Sequence, residues 1–176
     1  MEGIMSRNIG IGEAHLECRG SLARYRRSST VNALPLRPRR YEPRTRKQPM
    51  NADRKRLDDI SERVIGCALN VANTLGAGFL EKVYENALAH ELTKAGLMVR
   101  QQIAIGVEYD GVTVGTYVAD LLVENAVLVE VKAVRALDAN HDAQCLNYLR
   151  ATGLTVCLLM NFATPRLEIR RRVNGF

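Results

Sequence analysis

The stretch that decides the fold is Val127-Leu128-Val129-Glu130-Val131-Lys132-Ala133-Val134. It alternates with a period of two and reads as a β-strand. Val127, Val129, Val131 and Ala133 share one face. Glu130 and Lys132 share the other, two residues apart, in the middle of an apolar strand. Charges are rarely placed there unless they are paired or bound to something. Taken alone the pattern also fits a solvent-exposed Glu–Lys pair on an edge strand, which is worth little.

The sequence on either side makes that reading specific. Val112 to Val123 is a second strand, separated from the first by a short turn at Glu124-Asn125. If Val123 pairs with Val127, the loop holds three residues and Asp120 falls opposite Glu130. A two-residue loop offsets the register by one and needs a bulge to restore it. Opposed residues share a face, so the spacing can bring Asp120, Glu130 and Lys132 together. Converging carboxylates repel each other and favour a cation. Oxygen ligands of this kind suit Mg²⁺ or Mn²⁺, which lower the pKa of a bound water and offset phosphate charge.

Further upstream, Val99 to Val107 reads as a strand. It is joined to Val112–Val123 by an Asp110-Gly111 hairpin turn, with Gly115 a candidate bulge. Two helices precede it. Leu57, Ile60, Val64, Cys67, Val71 and Leu75 form one apolar stripe, ended by Gly76-Ala77-Gly78. Leu80, Val83, Leu88 and Leu92 form a second, over about Phe79 to Lys94, with Gly96 as its stop. Downstream, Asp138 or Asn140 caps a helix running to Thr152 and closed by Gly153. Thr155 to Met160 reads as a strand buried on both faces. A last strand near Leu167 to Val173 carries Arg170, Arg171 and Arg172, close behind Arg166. The order is α-α-β-β-β-α-β-β, a mixed sheet flanked by helices.

Composition excludes several classes. The chain has 176 residues and a net charge of +6, but residues 1–49 hold 11 Lys+Arg against 4 Asp+Glu, and the remainder is net −1. The basic character therefore belongs to an Arg- and Pro-rich tail, expected to lack regular structure. Three readings of it stay open: a nucleic-acid-binding arm, a targeting peptide, or an artefact of start-site choice with Met50 as the first residue. The longest strongly apolar stretch, Val64 to Leu75, is interrupted by Asn70 and Asn73 and is too short to span a bilayer. Cys18, Cys67, Cys145 and Cys157 show no zinc-ligand spacing with His15, His90 or His141. Reduced thiols and a cytoplasmic location are expected. The Arg166–Arg172 group reads either as a phosphate-facing strip or as charge protecting an edge strand, the second being favoured.

The helices add polar groups. Gln144 and Tyr148 lie four apart on one face, and Glu81 lies one turn from Tyr84 and Glu85. Taken singly, each of these has an ordinary structural explanation.

Gly78-Phe79-Leu80-Glu81-Lys82-Val83-Tyr84 resembles the signature of the GxxExxY protein family. The resemblance continues through Asp110-Gly111, Tyr117 to Val123, Val129-Glu130-Val131-Lys132, Gln144 to Leu149 and Leu159 to Phe162. It covers about seven-tenths of the chain, from Asp53 to Phe176. Where many members carry histidine before the glycine pair, this chain has Ala72-Asn73-Thr74. The family looks like a branch of the PD-(D/E)XK nuclease superfamily. That implies a restriction-endonuclease-like αβββαβ core over residues 51–176 with an extra N-terminal helix. It also implies catalytic roles for Asp120, Glu130 and Lys132. Metal ligation would fall to Asp120, Glu130, Glu81 and the Val131 carbonyl. Gln144, Tyr148 and Tyr84 would face nucleic acid. The implied activity is Mg²⁺- or Mn²⁺-dependent phosphodiester hydrolysis by a metal-activated water. DNA is the expected substrate, with no membrane partner and a homodimer as the assembly. The alternative is a non-catalytic nucleic-acid-binding or adaptor module on the same fold.

Overall fold

The alternating stretch becomes the central strand of a five-stranded sheet. The computed structural model describes residues 50–175; the tail at 1–49, its three readings and the Met50 start lie outside the described residues. The elements are α1 (Met50–Leu75), α2 (Glu81–Lys94), β1 (Val99–Tyr109), β2 (Val112–Val123), β3 (Val127–Lys132), α3 (Ala139–Thr152), β4 (Val156–Asn161) and β5 (Glu168–Val173). Strand order in the sheet is β1-β2-β3-β4-β5. β3 and β4 are parallel, joined by the α3 crossover, and the other neighbours are antiparallel. This is the expected αβββαβ order with one helix added in front and one strand behind.

The two faces of the sheet bury different cores. Val127, Val129 and Val131 lie in one apolar cluster with Val64 and Val71 of α1 and Leu88 and Leu92 of α2. Leu128, Cys157 and Leu159 lie in the other, with Cys145 and Leu149 of α3. No described helix is long and apolar enough to cross a membrane.

Turn chemistry follows the sequence. Asp110 and Gly111 both adopt left-handed φ, 51° and 76°, as a tight hairpin turn of matching twist requires. Asp138 caps α3 through its carboxylate, and His141 returns the contact by accepting from the Asp138 main-chain N–H. Gly153 ends that helix in the left-handed region at φ 69°. The bulge expected at Gly115 sits beside it. Val107 pairs with Gly115 and Glu108 with Thr113, leaving Val114 extra on β2.

Two boundaries differ from the sequence expectation for tertiary reasons. α2 starts at Glu81 rather than Phe79, because Leu80 is extended and the Phe79 N–H donates to the Tyr84 hydroxyl at 3.2 Å. β3 ends at Lys132 rather than Val134. There the fully buried Asn161 side chain takes over from the ladder: its amide donates to the Val134 carbonyl at 2.8 Å and its oxygen accepts from the Val134 N–H at 3.1 Å.

β5 is an edge strand, and its arginines are used internally. Arg170 and Arg172 both pair with Asp142 of α3, Arg170 also with Glu168, and Arg171 with Asp58 of α1. The strand is tied to a helix on each face of the sheet, as edge protection requires.

The Asn161 bridge gives a first prediction. Asn161→Leu keeps the volume but strands two half-buried main-chain groups of Val134, at about 1–2 kcal/mol each. Urea unfolding should show a loss of about 2–4 kcal/mol. A midpoint unchanged from wild type would show that the bridge contributes nothing.

Candidate active site

The β2–β3 loop has the three-residue form. Val123 pairs with Val127, Leu122 with Leu128 and Leu121 with Val129. One step further along that register Asp120 faces Glu130. The ladder ends there because the Asp120 carboxylate replaces a main-chain acceptor: the Val131 N–H donates to its Oδ2 at 2.8 Å. Lys132 Nζ donates to Glu130 Oε1 at 2.6 Å and lies 3.9 Å from Glu81 Oε1. The structure therefore gathers Asp120, Glu130 and Lys132, with Glu81 of α2 at the rim and 43% exposed.

Burial is uneven. Glu130 is 2% exposed, and its Oε2 has no hydrogen-bond partner among the described residues. A buried carboxylate oxygen without a partner is costly and invites a cation. Burial and the neighbouring Asp120 charge push the Glu130 carboxyl up to about 7, against the opposing Lys132 hydrogen bond and charge. Burial also raises Asp120. The Val131 N–H and Lys132 oppose that rise, while Glu85 and Glu81 add to it. Burial alone would lower Lys132, but the hydrogen bond to Glu130 and the surrounding carboxylates carry it above its usual value. Burial is the larger cause for the two carboxyls, and the excess of carboxylates over ammonium groups adds to all three shifts.

Two of the expected nucleic-acid contacts are packed inside. Tyr84 is fully buried and stacks on Phe162 with centroids 4.8 Å apart, while its hydroxyl donates to the Gly76 carbonyl at 2.7 Å. Tyr148 is 1% exposed, donates to the Val118 carbonyl at 3.0 Å and accepts from the Gln144 amide. In the described structure these tyrosines fasten α2 to the glycine turn and α3 to β2. Gln144, half-buried, holds the Tyr148 hydroxyl.

One polar group stands out that the sequence reading did not single out. Glu85 of α2 is 2% exposed and accepts from Lys82 Nζ at 2.7 and 2.8 Å, Gln101 Nε2 at 3.1 Å and Gln102 Nε2 at 2.9 Å. Gln102 also reaches Asp120 Oδ1 at 3.5 Å. A signal existed in the sequence: Glu85 stands three residues before Leu88, on the stripe that α2 buries.

The donor set fits a hard divalent cation. Among the described residues no three His, Cys, Asp or Glu side chains converge into a complete metal cage. Mg²⁺ does not need one, since it typically uses one or two carboxylates and keeps several waters. Asp120 and Glu130 supply two, and the orphaned Glu130 oxygen supplies a free lone pair.

The raised Glu130 carboxyl predicts a pH dependence. A carboxyl with a higher pKa folded than unfolded costs stability once the unfolded chain ionises. For Glu130 the window runs from the ordinary 4.5 to about 7, so stability falls as pH rises through it. Lys132 is shifted upward and contributes no change there. In metal-free urea unfolding at pH 5 and pH 8, Glu130→Gln should gain on wild type at the higher pH, by at most about 3 kcal/mol. A gap that stays constant between the two pH values would refute the cause assigned.

Comparison with known proteins agrees with this geometry. Residues 58–172 match the family model of the PD-(D/E)XK nuclease superfamily. No curated protein and no solved structure matches the chain. The matched span runs from α1 to β5 and contains every site residue above, on a mixed sheet of restriction-endonuclease-like architecture. The chain belongs to the PD-(D/E)XK nuclease superfamily.

Proposed function

We propose that the protein is a nuclease of the GxxExxY branch that hydrolyses phosphodiester bonds in nucleic acid, with DNA as substrate and Mg²⁺ or Mn²⁺ as cofactor. The observation that carries this is the Asp120–Glu130–Lys132 cluster, in which Glu130 is buried and its Oε2 has no partner among the described residues.

Asp120 and Glu130 would hold the cation, with Glu81 joining from the rim and the Val131 carbonyl as a main-chain ligand. A divalent ion held there would lower the pKa of a water and offset charge on the phosphate. The Val131 N–H fixes one Asp120 oxygen, leaving that carboxylate aimed along the strand pair. Lys132, held on Glu130, keeps an ammonium at the same place, where it can orient a nucleophile or meet negative charge as it develops. The ordering of roles matches the burial. Glu130 and Lys132 are sheltered, and Glu81 is half open to incoming substrate.

A second reading has one observation in its favour. Residues 50–176 are net −1, and Arg170, Arg171 and Arg172 are consumed in ion pairs. That suits an adaptor as readily as an enzyme that must grip phosphate. Cytoplasmic location and homodimeric assembly belong to the nuclease proposal. The second is read by sedimentation of the full chain.

The test is a cleavage assay of the full chain on duplex DNA, single-stranded DNA and RNA with Mg²⁺ or Mn²⁺. Wild type should cut DNA, and Asp120→Ala and Lys132→Ala should each lose about 100-fold or more while keeping the fold. Binding without cutting in wild type would favour the adaptor. Equal cutting by both variants would remove Asp120 and Lys132 from the chemistry.

A further inference from the structure

Four non-glycine residues among those described have left-handed backbones: Gln102, Asp110, Glu124 and Asn125. The last three are in the two hairpin turns, where such a conformation is ordinary. Gln102, at φ 52°, is inside β1. A left-handed residue in mid-strand is strained, and glycine or asparagine would adopt that backbone more readily than glutamine. Such strain persists where the surroundings require it, commonly at functional sites.

The ladder is interrupted at the same place. Gln101 pairs with Leu121 and Ile103 with Ala119, and no pair forms between Gln102 and Asp120. Both strands also change face there. Leu121 and Val123 lie in the cluster under α1 and α2, but Ala119, at the same two-residue spacing, lies in the cluster under α3. On β1, Val99 packs against the first cluster, and Ile103 and Ile105 belong to the second. The hairpin rotates about the Gln102–Asp120 step.

The rotation aims one side chain. The two amide hydrogens of Gln102 Nε2 are directed at two carboxylates, Glu85 Oε2 at 2.9 Å and Asp120 Oδ1 at 3.5 Å. Glu85 is a fixed post, because Lys82 and Gln101 hold it from other sides. Asp120 Oδ2 is already taken by the Val131 N–H. With Gln102 at the outer hydrogen-bonding distance from Oδ1, both oxygens have a donor facing them.

We propose that Gln102 is a positioning residue, whose strained backbone braces the Asp120 carboxylate against the buried Glu85. This rests on the reading of Asp120 as a metal ligand. Partners of this kind, one shell out from a metal, set affinity by holding ligands in place, and their loss typically costs about 10–100-fold.

The test uses the full chain and Gln102→Gly. Glycine accepts the left-handed backbone and removes only the amide. Two quantities are measured: the melting temperature without metal, and Mn²⁺ affinity by calorimetry. The variant should melt close to wild type, because relief of the backbone strain offsets the loss of one donor to Glu85 and the greater freedom of glycine in the unfolded chain. Its Mn²⁺ affinity should fall about tenfold or more. Gln102→Asn, which keeps an amide on a shorter arm, should fall similarly. Mn²⁺ binding within about twofold of wild type in the glycine variant overturns the assignment. So does a melting temperature several degrees lower, since Gln102 would then hold the hairpin together rather than aim Asp120. A wild-type chain that binds no Mn²⁺ sinks the metal reading, and the assignment with it. Wild-type binding with an unaffected glycine variant sinks the assignment alone.

Discussion

Asp120 and Glu130 face each other because the turn between their strands holds three residues. The side-chain period of a strand is two, so a turn one residue shorter would direct Asp120 to the opposite face from Glu130. Glu124 and Asn125 both take left-handed φ, near 50°, to close that turn, and the Ala126 N–H returns to the Val123 carbonyl. The rest of the site is built on this register. Val131 offers its N–H to Asp120 only because the ladder has brought them level, and Lys132 follows on the face of Glu130.

That register places a carboxylate where the fold would prefer an apolar side chain. Glu130 stands on the layer formed by Leu128, Cys157 and Leu159, beside a parallel neighbour whose six residues are all buried. Lys132 compensates one oxygen and leaves the other bare. Removing water from an ion pair costs several kcal/mol per ion in an apolar interior, and a single partner rarely offsets it. The metal-free site is therefore a locally unfavourable part of a favourable sheet. The deep β3–β4 pairing and the two clusters on either side are what make it tolerable.

Much of this was legible from local pattern. The Glu130–Lys132 alternation, the Asp110-Gly111 turn, the Asp138 cap and the Gly153 stop are each decided by neighbours a few residues away. Where the partner is distant, legibility fails. The start of α2 depends on the Tyr84 hydroxyl meeting Phe79 and Gly76, and the end of β3 depends on Asn161. Tyr148, which the family resemblance implies faces nucleic acid, donates to a carbonyl thirty residues upstream. Gln102 carries no outward sign, because glutamine is not a residue type that announces a left-handed backbone. Glu85 was readable in principle, as a charge on an apolar stripe.

The Gln102–Asp120 step lies on the seam between the two hydrophobic clusters. The strand segments before and after it are buried in different layers, one completed by α1 and α2 and the other by α3. Glu85 and Glu81 come from the first layer, Glu130 rises on the second, and Asp120 stands between them. An intermediate that has closed only one layer during synthesis or partial unfolding has half the constellation and no bracing for the rest. For a protein whose proposed chemistry damages nucleic acid, competence then arrives only with complete folding.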